Sequence, residues 1–145
     1  MIEVGEAFES SDELVAAVGR LVRELSSSAA EPTAEQVAAI VASPASHLLL
    51  AREGGEVIGM LTLVTFPIPT GVRAWIEDVV VTEAARGKGV GERLTNAALG
   101  IAADVGARTV DLTSRPDREA ANRLYARLGF ALRETNVYRY SGEGT

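Results

Sequence analysis

Cysteine is absent from the 145 residues, which removes a disulfide framework, a thiolate metal site and a cysteine nucleophile together. Histidine occurs once, as His47, so most imidazole chemistry is gone and one such side chain cannot build a metal site. No bound metal is expected. The chain also lacks any run of about eighteen apolar residues, and its opening, MIEVGEAFES, has neither a basic start nor an apolar stretch of the signal-peptide kind. These absences predict a soluble, cytoplasmic protein with no membrane partner. Basic residues are in deficit, 14 against 20 acidic ones for a net charge of -6, which speaks against nucleic acid as a partner and mildly favours a cationic substrate. Repeats and linkers are missing too. With 47% apolar residues, the chain has the composition and length of a single domain over 1–145, its last residues SGEGT (141–145) reading as a frayed tail.

What is present alternates between helix and strand. Ser10 and Glu13 form a capping-box pattern ahead of Leu14, Val15, Val18, Leu21, Val22 and Leu25 at helical spacing. Thr33 and Gln36 repeat the pattern before Val37, Ile40 and Val41, and Pro44 stops that helix. HLLLA, EGGE and VIGMLTLV read as two strands around a glycine hairpin, and FPIPTG as a proline-rich loop. WIEDVVV is a further strand, with Trp75, Glu77, Val79 and Val81 expected on one face and Ile76, Asp78 and Val80 on the other. Val90, Leu94, Ala97, Ile101 and Val105 mark a helix closed by Gly106, and TVDLT is a short strand. Asp117 can cap a last helix carrying Ala121, Leu124 and Leu128, and FALRETNVYRY supplies one or two final strands in which Tyr138 and Tyr140 alternate. The fold class is α/β of the mixed α+β kind, a mixed sheet flanked by helices.

Between WIEDVVV and the following helix stands RGKGVG, three glycines in six residues. No Walker A string occurs, and Gly87, Gly89 and Gly91 give G-x-G-x-G, not the dinucleotide G-x-G-x-x-G. What remains is physical. A helix start presents unpaired amides and a positive dipole end, glycines let a diphosphate approach them, and Arg86 and Lys88 add charge.

Arg86-x-x-Gly89-x-Gly91 after an apolar strand, with ANRLYARLGF downstream, resembles the GNAT superfamily of acyl-CoA-dependent N-acyltransferases. The resemblance spans residues 75–140 by motif. It implies a mostly antiparallel twisted sheet whose strands splay for the acyl-CoA, and acetyl-CoA as acyl donor. It assigns the diphosphate to the amides of Gly87, Lys88, Gly89, Val90, Gly91 and Glu92, with Arg86 beside them. The pantetheine arm falls to Val79, Val80 and Val81, and the role of general acid for the departing thiolate to Tyr125. Members often carry an asparagine at the position aligned with Arg118; here Asn122 lies three residues before Tyr125, on the same helix face, and is the cofactor-contact candidate.

An alkylammonium has no lone pair, so an amine acceptor must lose a proton before it attacks. Glu77 and Asp78 are the acids nearest the acyl end in the family frame, and Glu77 is favoured because it is expected to share a face with Val79. Without cysteine, direct attack in a ternary complex is simpler than a covalent intermediate. Trp75 and the loop 66–71 are candidates for the wall of an acceptor pocket, and His47 receives no role. The acceptor expected is a small-molecule amine. A peptide or protein lysine or N-terminus, a non-catalytic acyl-CoA sensor, a nucleotide-binding regulator and a homodimer all stay open.

Overall fold

Leu14, Ala17, Val18 and Leu21 recur at helical spacing, and all are buried in the computed structural model, which describes residues 1–142. They belong to α1 (Asp12–Leu25), whose first turn is capped by Ser11 accepting from the Leu14 amide at 3.1 Å. The cap is therefore Ser11 and not Ser10. In α2 (Ala34–Ala42) the expected box is formed reciprocally: the Gln36 amide donates to Thr33 Oγ1 at 3.1 Å and the Thr33 amide to Gln36 Oε1 at 2.9 Å.

Contacts divide the chain into two units, Met1–Thr113 and the stretch from Ser114 on. The first holds one five-stranded sheet in the order β1 (Ile2–Glu6), β2 (Ser46–Glu53), β3 (Glu56–Ile68), β4 (Gly71–Val81), β5 (Thr109–Asp111). Pairing is antiparallel from β1 to β4 and parallel between β4 and β5, so the sheet is mixed and mostly antiparallel, as expected. Leu48, Leu50, Val57, Met60 and Val80 join the buried stripe of α1 and Val37 of α2 in one core cluster. On the opposite sheet face lies α3 (Val90–Asp104). A Cβ at Gly59 of β3 would stand 3.2 Å from Val90 Cγ1 and 3.3 Å from Leu94 Cδ1, so a bare hydrogen there lets the start of α3 settle on the sheet.

Several expectations are corrected. β1 is not legible in IEVGE; it exists because Ile2 to Glu6 pair with Glu53 to Leu49. FPIPTG is no open loop, since β3 runs through Ile68 and pairs with Gly71, leaving only the tip at Pro69 and Thr70. The buried stripe of α3 is Val90, Leu94, Thr95, Ala98 and Ala102, and Val105 is 42% exposed. In the second unit, α4 (Glu119–Arg127) is preceded by Arg118 as N-cap in place of Asp117. FALRETNVYRY forms no strand ladder, and residues 131–142 are exposed. Alternation alone cannot hold a strand whose N–H and C=O groups find no ladder. Of the expected tail, residues 143–145 lie outside the described residues.

Candidate active site

β4 departs from regular pairing at its second half. Met60 faces Val80 and Thr62 faces Glu77, so Asp78 and Val79 together oppose Leu61 in a β-bulge. Asp78 takes a φ of 51°, the one non-glycine positive φ among the described residues, and aspartate is one of the few side chains that tolerates it. The extra residue reverses the alternation beyond it. Val80, not Val79, shares the face of Trp75 and Glu77, and it packs in the α1–α2 core. The expected grouping of Glu77 with Val79 and Val81 is thereby overturned.

Glu77 and Asp78 are both exposed, and neither makes an ion pair or side-chain hydrogen bond among the described residues. Glu77 is thus not the partner in an ordinary salt bridge. Trp75, half-buried, sits at the last residue of β4 that pairs with β5. Ladder pairing with β5 covers only Arg73, Ala74 and Trp75; beyond it, residues 76–81 have no strand on that side among the described residues. Their outer backbone edge is a row of groups able to bond an extended ligand.

From Val81 the chain passes through Thr82 and a 3-10 turn (Glu83–Ala85) into RGKGVG. Gly87 (φ 83°) and Gly89 (φ 76°) both lie in the left-handed region, and a Cβ on either would meet nothing within 4 Å. Backbone conformation, not crowding, requires glycine at both places. Gly89 is the N-cap of α3 and offers no side chain to its first amides; the first intrahelical bond runs from the Arg93 amide to Gly89 O at 3.1 Å. The amides of Val90 and Gly91, which no N-cap side chain engages, thus stand at the positive end of a 15-residue helix, a cradle suited to a diphosphate. Arg86 turns its Nε to Val81 O at 3.3 Å, and Lys88 pairs with Glu53 at 3.3 Å.

One contact at this turn has no sequence-local signal. Glu24, in the last turn of α1, accepts from Thr82 Oγ1 at 2.7 Å and from the Glu83 amide at 3.0 Å. The Thr82 hydroxyl foremost, then the Glu83 amide and the Arg86 and Arg20 charges, hold its carboxyl below the usual range against an opposing desolvation. The partners lie 58 and 59 residues away in sequence, beyond any periodicity or spacing rule.

Asn122 and Tyr125 belong to the second unit and are one turn apart on α4. Asn122 directs its amide NH2 to Arg115 O and Arg118 O, both at 2.9 Å, fastening the helix start, so its donors serve the fold. Tyr125 is buried and meets Phe130 edge-on, ring centroids 5.6 Å apart. Desolvation raises its phenol above the ordinary value, with the Arg118 charge pulling the other way, so at neutral pH it keeps its proton.

Comparison with known proteins agrees with this architecture. Residues 16–130 match the model of the acetyltransferase (GNAT) family, across both units. N-alpha-acetyltransferase 30 of Schizosaccharomyces pombe is 37% identical over 76 residues, 52% of this chain and 50% of that protein. Mycothiol acetyltransferase of Amycolatopsis mediterranei is 43% identical over 93 residues, 61% of this chain and 31% of that protein. The chain therefore spans half or less of these curated relatives. Among solved structures, a candidate acetyltransferase from Agrobacterium tumefaciens str. C58 superposes with a TM-score of 0.85 at 25% identity, over 96% of this chain and 99% of that one. By sequence and by fold, the chain belongs to the acetyltransferase (GNAT) family of acyltransferases.

Proposed function

We propose that the protein transfers an acetyl group from acetyl-CoA to a primary amine, by direct attack within a ternary complex, and that the amine is a small molecule. The observation that carries this reading is the join of an unpaired β4 edge at residues 76–81 to a helix start whose capping residue, Gly89, is a left-handed glycine. An extended arm ending in a diphosphate fits that edge and cradle in sequence. The residues that would hold it are Val79, Val80 and Val81 along the edge and Arg86, Gly87, Lys88, Gly89, Val90, Gly91 and Glu92 at the cradle.

Acetyl-CoA, a substrate here, supplies the thioester. A lysine-like amine, with a pKa near 10.4, arrives as ammonium, and the exposed, unpaired Glu77 carboxylate takes its proton directly or through water. The bulge at Asp78–Val79 interrupts the ladder with β3, and a backbone amide freed there can polarise a carbonyl as charge develops on its oxygen. The C–N bond forms as the C–S bond breaks, and the leaving thiolate takes a proton from a donor, a role that the family resemblance gives to Tyr125, whose phenol burial keeps protonated. The rate then depends on positioning and not on a covalent intermediate.

A peptide α-amine is the second reading, favoured by the 37% identity to an N-alpha-acetyltransferase. Thermal denaturation with acetyl-CoA, followed by thiol release across amines and peptides, tests both. The proposal expects a raised Tm and release with small amines; a mass shift on peptides alone favours the second reading. No stabilisation by acetyl-CoA and no release with any acceptor would overturn both.

A further inference from the structure

Glu24 stands where local rules disfavour it. A carboxylate in the last turn of a helix faces the negative end of the helix dipole, and Arg23 beside it shows the residue type that this position prefers. A negative charge near a diphosphate cradle is also electrostatically adverse. A side chain that offends two local preferences needs a tertiary contact to offset them, and its partners show which one.

The 3-10 turn Glu83–Ala85 has Thr82 as N-cap, yet the Thr82 side chain caps nothing in its own turn. Its hydroxyl donates instead to Glu24 Oε2, and the amide of Glu83 donates to Glu24 Oε1, so both carboxylate oxygens are engaged. Glu24 is in effect the cap of that turn, supplied from another element. The backbone carries the restraint forward: Thr82 N bonds Ile58 O at 2.8 Å, Ala85 N bonds Thr82 O at 2.9 Å, and Arg86 N bonds Glu83 O at 3.2 Å. The next residue is Gly87, at the mouth of the cradle. The helix behind Glu24 is packed into the core, because Leu14, Ala17, Val18 and Leu21 bury the other side of α1. Glycine resists backbone movement less than other residues, so a fixed turn before Gly87 and Gly89 helps to hold their conformation.

We infer that Glu24 is a positioning residue for acyl-CoA, a latch from α1 that fixes the 82–86 turn and so pre-organises the glycine cradle. This rests on the proposed function. Glutamine can keep both contacts, its Oε1 accepting from the Glu83 amide and its Nε2 donating to Thr82 Oγ1, whereas alanine keeps neither. Glu24→Ala is therefore expected to raise KM for acetyl-CoA about tenfold with kcat within about twofold, Glu24→Gln to stay within about threefold of the parent, and Thr82→Val to fall between. Amide hydrogen exchange of the ligand-free protein supplies a readout that needs no activity: residues 83–91 should exchange about tenfold faster in Glu24→Ala and not in Glu24→Gln. Unchanged exchange in Glu24→Ala, a tighter KM on loss of the charge, or equal defects in alanine and glutamine variants would each overturn the latch. If the parent protein fails to bind acetyl-CoA while exchange responds as stated, the proposed function falls and the latch stands as a restraint on the turn alone.

Discussion

The two halves of β4 follow different rules. Residues 71–75 pair with β3 on one side, and three of them pair with β5 on the other, with Arg73 tied to Asp111 at 2.9 Å. Residues 76–81 keep β3 but have no second strand among the described residues, and they carry the bulge, the left-handed Asp78 and the unpaired Glu77. One strand thus joins a finished structural half to a half whose hydrogen-bonding capacity is left over. The proposed chemistry falls where the sheet is incomplete, because a strand edge without a neighbour leaves backbone groups able to bind a ligand.

The sharpest way to test that contrast is to change one charge in each half. Glu77→Gln should lower kcat/KM for a small amine by about 10²–10⁴-fold if the carboxylate takes the ammonium proton, with little change in Tm. Arg73→Ala, in the finished half, should leave turnover at saturating substrates within a few fold, its half-exposed ion pair contributing about 1 kcal/mol or less to stability. Equal losses of activity in the two variants would erase the distinction. Next in size is Gly89→Ala. A side chain in the left-handed region costs about 1–2 kcal/mol, and a cradle that shifts to relieve it should bind acetyl-CoA about tenfold more weakly, as calorimetric titration would show.

The same division explains what could be read from the chain. Features set by neighbours in sequence were legible: the Thr33–Gln36 box, the stripe of α1, the hairpin after HLLLA and the glycine loop into α3. Features set by distant partners were not. IEVGE becomes β1 through β2, and FALRETNVYRY has the alternation of a strand yet forms no ladder. At the site, residue type singles out Glu77, but grouping Val79 and Val81 with it fails because a bulge inserts a residue without any glycine or proline to announce it. The helix position of Asn122 makes it a cofactor-contact candidate, and nothing local says that its NH2 holds two carbonyls.

Asp78 sharpens the comparison from within the unfinished half. If its left-handed backbone is what sustains the bulge, Asp78→Gly should hold stability within about 1 kcal/mol, whereas Asp78→Val should cost about 2 kcal/mol, or roughly 4–8 °C in Tm for a chain of this size. A valine variant as stable as the parent would mean that the strand can straighten, and Val80 would then leave the face it shares with Glu77.

The smallest effect concerns Tyr125, which lies in the other unit and answers to burial instead of pairing. Its folded pKa is raised above the unfolded value near 10, so below that pH both states hold the proton and the group adds no pH dependence. Above it, the unfolded chain loses the proton while the folded chain retains it. Stability therefore falls as pH climbs from about 10 through the folded value, with a slope of at most about 1.4 kcal/mol per pH unit from this one group. In Tyr125→Phe that part of the slope disappears, and chemical denaturation at pH 9, 10 and 11 would show the curves of parent and variant drawing together. A parent curve as flat as the variant's would mean that water reaches the phenol, and with it would go the reason for expecting Tyr125 to stay a proton donor when the thiolate departs.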